Sequence, residues 1–139
     1  MPMVESVGYE GRTIDEFVAD LTDRHIDVLV DVRLNAVSRR RGFSKTALSS
    51  TVTSAGIEYL HLRALGNPKE NRAAFGGADV ASGRDAYRDL LRAPEASAAM
   101  DQLAELASSR HVAIMCFERD EQQCHRLVVI DELMSVREP

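Results

Sequence analysis

The sequence has few of the residues that mark several classes of protein. It holds two cysteines, eight glycines and four prolines in 139 residues. So few cysteines exclude the disulfide framework of a small secreted domain, and we expect Cys116 and Cys124 to be free thiols. The low glycine and proline content, beside 45% hydrophobic and 28% charged residues, excludes a disordered chain or a repeat array.

Long apolar runs are also missing. No stretch approaches the ~18 consecutive apolar residues that a membrane helix needs. The segment Met1–Glu5 lacks the basic and apolar regions of a signal peptide. We therefore expect a cytoplasmic protein with no membrane partner. A chain of 139 residues can bury its own core, so we predict a single domain over residues 1–139.

Acidic residues are absent from one long segment. The net charge is −5, yet no Asp or Glu occurs between Asp31 and Glu58. The basic residues inside this gap are Arg33, Arg39, Arg40, Arg41 and Lys45. Residues 33–57 thus carry +5, which leaves −10 on the rest of the chain. This distribution is unsuited to an extended polyanion surface but is compatible with one small anion or a single phosphate end.

Apolar runs alternate with helical periodicities along the chain, which predicts an α/β fold. Thr13 followed by Glu16 is typical of a helix start, and Gly56 is well placed to end a helix. Strands are predicted at Val4–Tyr9, Ile26–Val32, Ile57–Leu62 and His111–Phe117. Helices are predicted at Thr13–Arg24, Ser44–Ser54, Gly83–Arg92, Glu95–Ser109 and Cys124–Ser135. The connection after the third strand is long and irregular, as lid loops often are.

Four strands joined by helical crossovers predict a small, mainly parallel sheet in the order 3-2-1-4, with helices on both faces in three layers. Open α/β sheets bind ligands outside the carboxyl ends of the strands, where the direction of winding reverses. The segments expected at that edge are Gly8–Arg12, Asp31–Arg33 and Cys116–Glu118. We therefore expect the functional site there.

Arginines and carboxylates at these strand ends favour recognition of an anion. We expect Arg33, Arg39 and Arg126 to converge on a phosphate, because arginine offers oxyanions a planar fork. Tyr9 would contact a base or sugar, and Glu118 or Asp31 would move a proton. The alternative is a structural ion pair of Asp31 with Arg33 that anchors a loop, beside a solvated basic loop at 39–41.

Both cysteines lie in the segment from Cys116 to Arg126. A thiol at a strand end or helix start can have a lowered pKa, so Cys116 is a candidate nucleophile. The segment does not match the phosphatase or rhodanese loop, in which five residues separate the cysteine from an arginine. A metal site is disfavoured, because Cys124 and His125, as adjacent helical residues, diverge by about 100°. We predict no metal ligands.

These residues together resemble the domain of unknown function 488 family. The matching motifs, which span nearly the entire chain, are Gly8-Tyr9, Asp31-Val32-Arg33, Ser38-Arg39, Gly56-Ile57-Glu58-Tyr59, Leu65-Gly66, Cys116-Phe117-Glu118 and Cys124-His125-Arg126. Ala36 and Asn67 depart from the family, which usually has proline and a second glycine at these positions. The resemblance implies a compact α/β domain and no established substrate or cofactor. It also implies that Ser38, Cys124 and His125 share one pattern with the other strand-end residues.

Three functional hypotheses follow, and they leave open whether the chain is an enzyme. The leading one is a domain that binds or acts on a phosphate-bearing small molecule, a nucleotide or a nucleic-acid end at the carboxyl ends of the strands. The second is a non-enzymatic nucleic-acid or interaction module that uses the basic residues at 39–45. The third is a metal or redox domain built on the two cysteines.

Overall fold

The computed structural model of the protein describes residues 4–67, 80–117 and 125–136. The strands of this part are β1 Val4–Gly8, β2 Val28–Asp31, β3 Glu58–His61 and β4 Val112–Cys116. Its α-helices are α1 Ile14–Asp23, α2 Lys45–Ser54, α3 Val80–Leu90, α4 Pro94–Ser109 and α5 Arg126–Val136, and a 3-10 turn spans Arg63–Leu65. The prediction of an α/β fold is confirmed. The predicted lid falls on residues 68–79, which lie outside the described residues.

Local sequence signals set the ends of several helices. Thr13 Oγ1 accepts the N–H of Glu16 at 3.1 Å, and Glu16 Oε1 accepts the N–H of Thr13 at 2.8 Å, so the predicted capping box is confirmed. Gly56 follows α2 in the left-handed region at φ +83°, as expected for a residue just beyond a helix. α4 begins at Pro94, where the missing N–H is harmless.

The four strands form one parallel sheet in the order β1-β4-β2-β3. The predicted order 3-2-1-4 is therefore wrong, because β4 inserts between β1 and β2. Val112 of β4 lies opposite Val4 on one side and Val28 on the other. All five residues of β4 are buried, whereas β1 starts with three half-buried residues that include Glu5. An interior strand must be apolar on both faces, which places β4 inside and β1 at the edge.

Helices cover both faces of the sheet, which confirms the predicted layers. Successive strand residues point to opposite faces, so Leu29 and Met115 pack toward α1 and α2. Val30 and Ile114 pack toward the layer of α3, α4 and α5. β1 and β2 are each followed by a helix on one face of the sheet, α1 and α2. The next described helix after β4 is α5, on the opposite face. The carboxyl end of β4 thus lies where the connections diverge, the geometry of a ligand-binding edge.

Two close backbone approaches fix the loop that follows β2, which we call the β2–α2 loop (residues 32–44). A Cβ atom on Gly66 would lie 2.3 Å from Leu34 Cα. A Cβ atom on Gly42, which has a φ of +89°, would lie 2.8 Å from Ile14 Cβ. The loop is therefore held between the 3-10 turn and the start of α1.

No described helix combines the length and the apolar character that crossing a bilayer requires.

Candidate functional site

A buried ion pair occupies the carboxyl end of β2. Asp31 has no exposed surface and Arg33 is 6% exposed. Arg33 Nη2 donates to Asp31 Oδ2 at 2.7 Å, and Arg33 Nε donates to both carboxylate oxygens at 2.9 and 3.0 Å. The backbone N–H of Arg33 also donates to Oδ1 at 3.0 Å. Such charge-assisted, forked geometry is the strong form of an ion pair.

The remaining donor atom of Arg33, Nη1, joins this pair to the β2–α2 loop and to β1. It donates to the carbonyl of Phe43 at 2.7 Å and to the hydroxyl of Tyr9 at 3.2 Å. Burial disfavours the charged guanidinium, but the hydrogen bonds and negative charge of Asp31 outweigh it and raise the pKa of Arg33. Every guanidinium nitrogen is thus engaged within the protein. This geometry favours the structural ion pair over an anion-binding role for Arg33.

Asp31 also accepts a hydrogen bond from β3. Tyr59 donates its hydroxyl to Asp31 Oδ2 at 2.6 Å, and burial together with this bond raises the pKa of Tyr59. His61 Nε2 lies 2.7 Å from the carbonyl oxygen of Arg33. Asp31, a predicted proton carrier, therefore serves here as the acceptor that ties β2, β3 and the β2–α2 loop together.

Aromatic rings form a row beside the ion pair. Tyr9 is 3% exposed, with its ring stacked on Phe43 at a centroid distance of 4.4 Å. Phe117 meets Tyr9 edge-on at 5.4 Å, and Phe17 meets Phe43 edge-on at 5.3 Å. Tyr9 was predicted to contact a base or sugar, but this packing leaves little of its ring open to a ligand. Phe117 is the exposed end of the row, at 45%.

The start of α5 packs against α3, in the same helical layer, and against the residue that follows β2. His125 is 5% exposed, with Nε2 2.9 Å from the carbonyl oxygen of Val32 and its ring edge-on to Tyr87. Arg126 follows as the first residue of α5 and has no exposed surface. The predicted convergence of three arginines does not form an open pocket, because Arg33 and Arg126 are buried and Arg39 is exposed.

Ser38 shapes the basic part of the β2–α2 loop. Its hydroxyl accepts the N–H of Arg40 at 3.0 Å. Its own N–H donates to Ser44 Oγ at 2.9 Å, and the Ser44 hydroxyl donates back to the Ser38 carbonyl at 3.1 Å. Ser38, predicted to bind a ligand, thus holds the turn that presents the arginines at 39–41.

The bonding state of Cys116 differs from the free thiol that we expected. Cys116 is disulfide-bonded and 2% exposed, so the prediction of a free thiol is wrong for this residue. Composition alone does not reveal this bond, because whether a thiol is paired depends on its placement in the tertiary structure. A disulfide sulfur is not the thiolate nucleophile that catalysis by Cys116 requires. Glu118 and Cys124 lie outside the described residues. Within the described ranges, no group of three or more His, Cys, Asp or Glu could hold a metal ion.

An open cleft lies between the β1–α1 turn and the β2–α2 loop. We call it the basic cleft; it is lined by Arg12, Thr13, Ile14, Asp15, Arg40 and Arg41 and has a volume of about 520 Å³. Arg40 Nε donates to the carbonyl of Arg12 at 2.8 Å, which joins the two segments that line the cleft. Arg12 Nη1 pairs with Asp20 at 2.8 Å. In the part of the chain that the structure describes, Arg40 and Arg41 have no carboxylate partner.

The sequence identified the two segments that line the basic cleft but did not predict that they contact each other. Gly8–Arg12 was expected at the carboxyl edge, and residues 39–41 were recognised as basic. Arg12 was not singled out, because it lies 28 residues from Arg40 in the chain. The signal in the sequence was Gly11 itself, because glycine is typical of tight turns. It adopts a φ of +78° immediately before Arg12.

The family model of the domain of unknown function DUF488 matches residues 13–133. The chain belongs to the DUF488 family. No curated protein matches the sequence. Among solved structures, it is similar to a "Putative phosphatase (DUF442)" from Shewanella putrefaciens CN-32, with a TM-score of 0.49 and 18% identity over 100% of this chain and 71% of that chain.

Several described residues of the motifs that carry the resemblance make contacts around the carboxyl edge. Leu65 is buried and its carbonyl accepts the hydroxyl of Tyr87, while the next residue, Gly66, allows the close approach of Leu34. The two departures are both buried: Ala36 is 7% exposed and Asn67 is 2% exposed. The scaffold around the carboxyl edge of this DUF488 protein therefore includes Asp31, Arg33 and Gly66, and the exposed Arg40 and Arg41 lie beside it.

Proposed function

We propose that this DUF488 protein binds a phosphate-bearing ligand in the basic cleft. The observation that carries the proposal is that two exposed arginines, Arg40 and Arg41, lie with Arg12 around an open cleft at the carboxyl edge of a parallel sheet. Ligands of open α/β sheets occupy that edge. This proposal keeps the phosphate-bearing ligand of the leading sequence hypothesis. It replaces Arg33, Arg39 and Arg126 as the binding residues with Arg12, Arg40 and Arg41.

Electrostatics favour a compact anion in this cleft. Three guanidinium groups face one carboxylate, that of Asp15, and Arg12 is paired with Asp20. Residues 33–57 contain no carboxylate, and Asp31 neutralises only Arg33 among their cations. The rest of the chain is acidic, so the excess of positive charge along the sequence lies in this segment. A ligand with one or two phosphate groups suits it better than a long polyanion.

The start of α1 adds backbone donors to the same wall. The capping box uses the N–H groups of Thr13 and Glu16. Ile14 and Asp15, the first two residues of α1, line the cleft, and N–H groups in a first helical turn have no partner within the helix. They supplement the arginines in holding an oxyanion.

Ribose 5-phosphate is the probe that tests this proposal, because it carries a phosphate and no base. Binding is measured by calorimetry at low salt for the wild type, Arg40→Ala and Arg41→Ala. A charge-assisted hydrogen bond contributes about 1.5–3 kcal/mol, so each variant should bind about 10- to 100-fold more weakly.

Arg92→Ala is the matched control, since Arg92 is an exposed arginine at the end of α3, in the opposite layer. It removes the same charge and should leave binding unchanged. Absence of binding by the wild type, or equal loss in Arg92→Ala and Arg41→Ala, would refute a localised phosphate site.

A further inference from the structure

An exposed aromatic ring lies at the carboxyl end of β4. Phe117 is 45% exposed although the five residues before it are buried. Among the described residues, the other large hydrophobic side chains exposed to this degree are Val37 and Leu90. Of these three, only Phe117 offers an aromatic face. Burying a phenylalanine ordinarily stabilises a fold, so the exposed ring of Phe117 leaves apolar surface at the carboxyl edge of the sheet for a ligand to cover.

The orientation of Phe117 is fixed from two sides. Its carbonyl oxygen accepts the N–H of Glu10 at 2.9 Å, which pins the backbone to the end of β1. Its ring meets Tyr9 at an interplanar angle of 82°. An edge-on contact of this kind supports the ring while leaving its faces for other partners. A ring held in place loses little conformational entropy when a ligand stacks on it.

The same aromatic row leads from Phe117 to both walls of the basic cleft. Tyr9, beside Phe117, accepts the N–H of Arg12 on its carbonyl at 3.0 Å. Phe43, stacked on Tyr9, donates its N–H to the carbonyl of Arg40 at 3.2 Å. The centroid steps from Phe117 to Tyr9 and from Tyr9 to Phe43 are 5.4 and 4.4 Å. The exposed ring of Phe117 is thus linked to the loops that carry the arginines through the buried rings of Tyr9 and Phe43.

We propose that Phe117 stacks on the base of a nucleoside phosphate whose phosphate group lies in the basic cleft. This inference rests on the proposed function and adds the chemical class of the ligand. Stacking on an aromatic side chain accepts any base, because every base presents a π face. The ligand is therefore a nucleoside 5′-phosphate, either free or as the end of a single strand.

Adenosine 5′-monophosphate and ribose 5-phosphate, which differ by the base, test the inference. The wild type should bind the nucleotide about 5- to 100-fold more tightly than ribose 5-phosphate, the range expected for one stacked base. Phe117→Leu keeps an apolar side chain without a π face. It should remove most of that preference and leave binding of ribose 5-phosphate unchanged.

A fluorescent base gives a second readout of stacking. The 5′-monophosphate of 2-aminopurine riboside loses fluorescence when its base stacks, and the protein has no tryptophan to interfere. Quenching should occur with the wild type and with Leu90→Ala, and should be lost with Phe117→Leu. Leu90→Ala is the matched control because Leu90 is exposed on α3, in the opposite layer.

The outcomes separate this inference from the proposed function. Equal affinity of the wild type for both probes, or equal weakening of both by Phe117→Leu, overturns stacking and leaves the phosphate site intact. Failure of both probes to bind overturns both proposals. Where stacking holds, a 5′-phosphorylated tetranucleotide that binds more tightly than the mononucleotide identifies a strand end as the ligand. Equal or weaker binding identifies the free nucleotide.

Discussion

Replacement of Arg33 by methionine should destabilise the fold strongly. The variant leaves the Asp31 carboxylate fully buried with two donors, the N–H of residue 33 and the Tyr59 hydroxyl, after the loss of its three guanidinium hydrogen bonds. Breaking a buried ion pair from one side costs about 3–5 kcal/mol, because the remaining charge is uncompensated. Methionine preserves the apolar volume of the side chain, so cavity formation adds little.

Thermal unfolding followed by circular dichroism measures this loss. With an unfolding entropy of about 2.1 cal/mol/K per residue, a loss of about 3–5 kcal/mol in this chain lowers Tm by about 10–17 °C. Arg39→Met is the matched control, since Arg39 is an exposed arginine of the same loop, and its effect should stay within about 0.5 kcal/mol. Raising the salt concentration should change neither result much, because buried pairs are screened weakly.

The double variant Asp31→Asn, Arg33→Met isolates the cause. It removes the uncompensated carboxylate charge, so it should be more stable than Arg33→Met alone, as expected when both partners of a buried pair are replaced. If Arg33→Met melts within about 2 °C of the wild type, or if the double variant is less stable than the single one, the structural assignment fails. Arg33 would then return as a candidate anion ligand.

Three further predictions concern other parts of the scaffold. Gly66→Ala places a Cβ atom 2.3 Å from Leu34 Cα, so it should destabilise the protein by at least about 1–3 kcal/mol, measured by urea unfolding. Thr13→Ala removes the acceptor of the Glu16 N–H and should lower stability by about 1 kcal/mol in the same assay; no change would show that the capping box is not formed in solution. Burial raises the pKa of Tyr87 above its ordinary value of 10.0. The folded state thus holds its proton where the unfolded state loses it, so stability should fall as pH rises above about 10, by about 1.4 kcal/mol per pH unit. Tyr87→Phe should remove that part of the decline, and an unchanged pH dependence would contradict the assignment.

The sheet order shows how far periodicity predicts topology. Apolar runs located all four strands and predicted that they are parallel, because each is followed by helical sequence. The order depended on which strand is buried from both sides, and the continuous apolar composition of β4 was the signal for it. The Glu5 and Ser6 side chains of β1 indicated an edge strand. Short-range patterns do not state which strands pair, since pairing joins residues far apart in the chain.

The candidate site, too, was predicted only in part from the sequence. The strand-end rule predicted the segments that carry Tyr9, Asp31 and Arg33, and all three lie at the carboxyl edge. All three are buried, whereas the exposed groups near this edge are Arg40, Arg41 and Phe117, which our proposals use. A sequence records which side chains are chemically able to bind an anion. It does not record which of them become buried and paired with other groups of the protein.

The amino-acid sequence by itself determined the secondary structure, the helix caps, the α/β class, the family and the basic segment. Each of these depends on residue spacing within one element or on charges close together in the chain. Only the tertiary structure decided that β4 lies inside the sheet, that Arg33 donates to Tyr9, and that Arg12 meets Arg40. Those outcomes depend on contacts between distant segments. Once the fold buries Arg33, its guanidinium must be paired inside the protein, because an uncompensated buried charge is strongly destabilising.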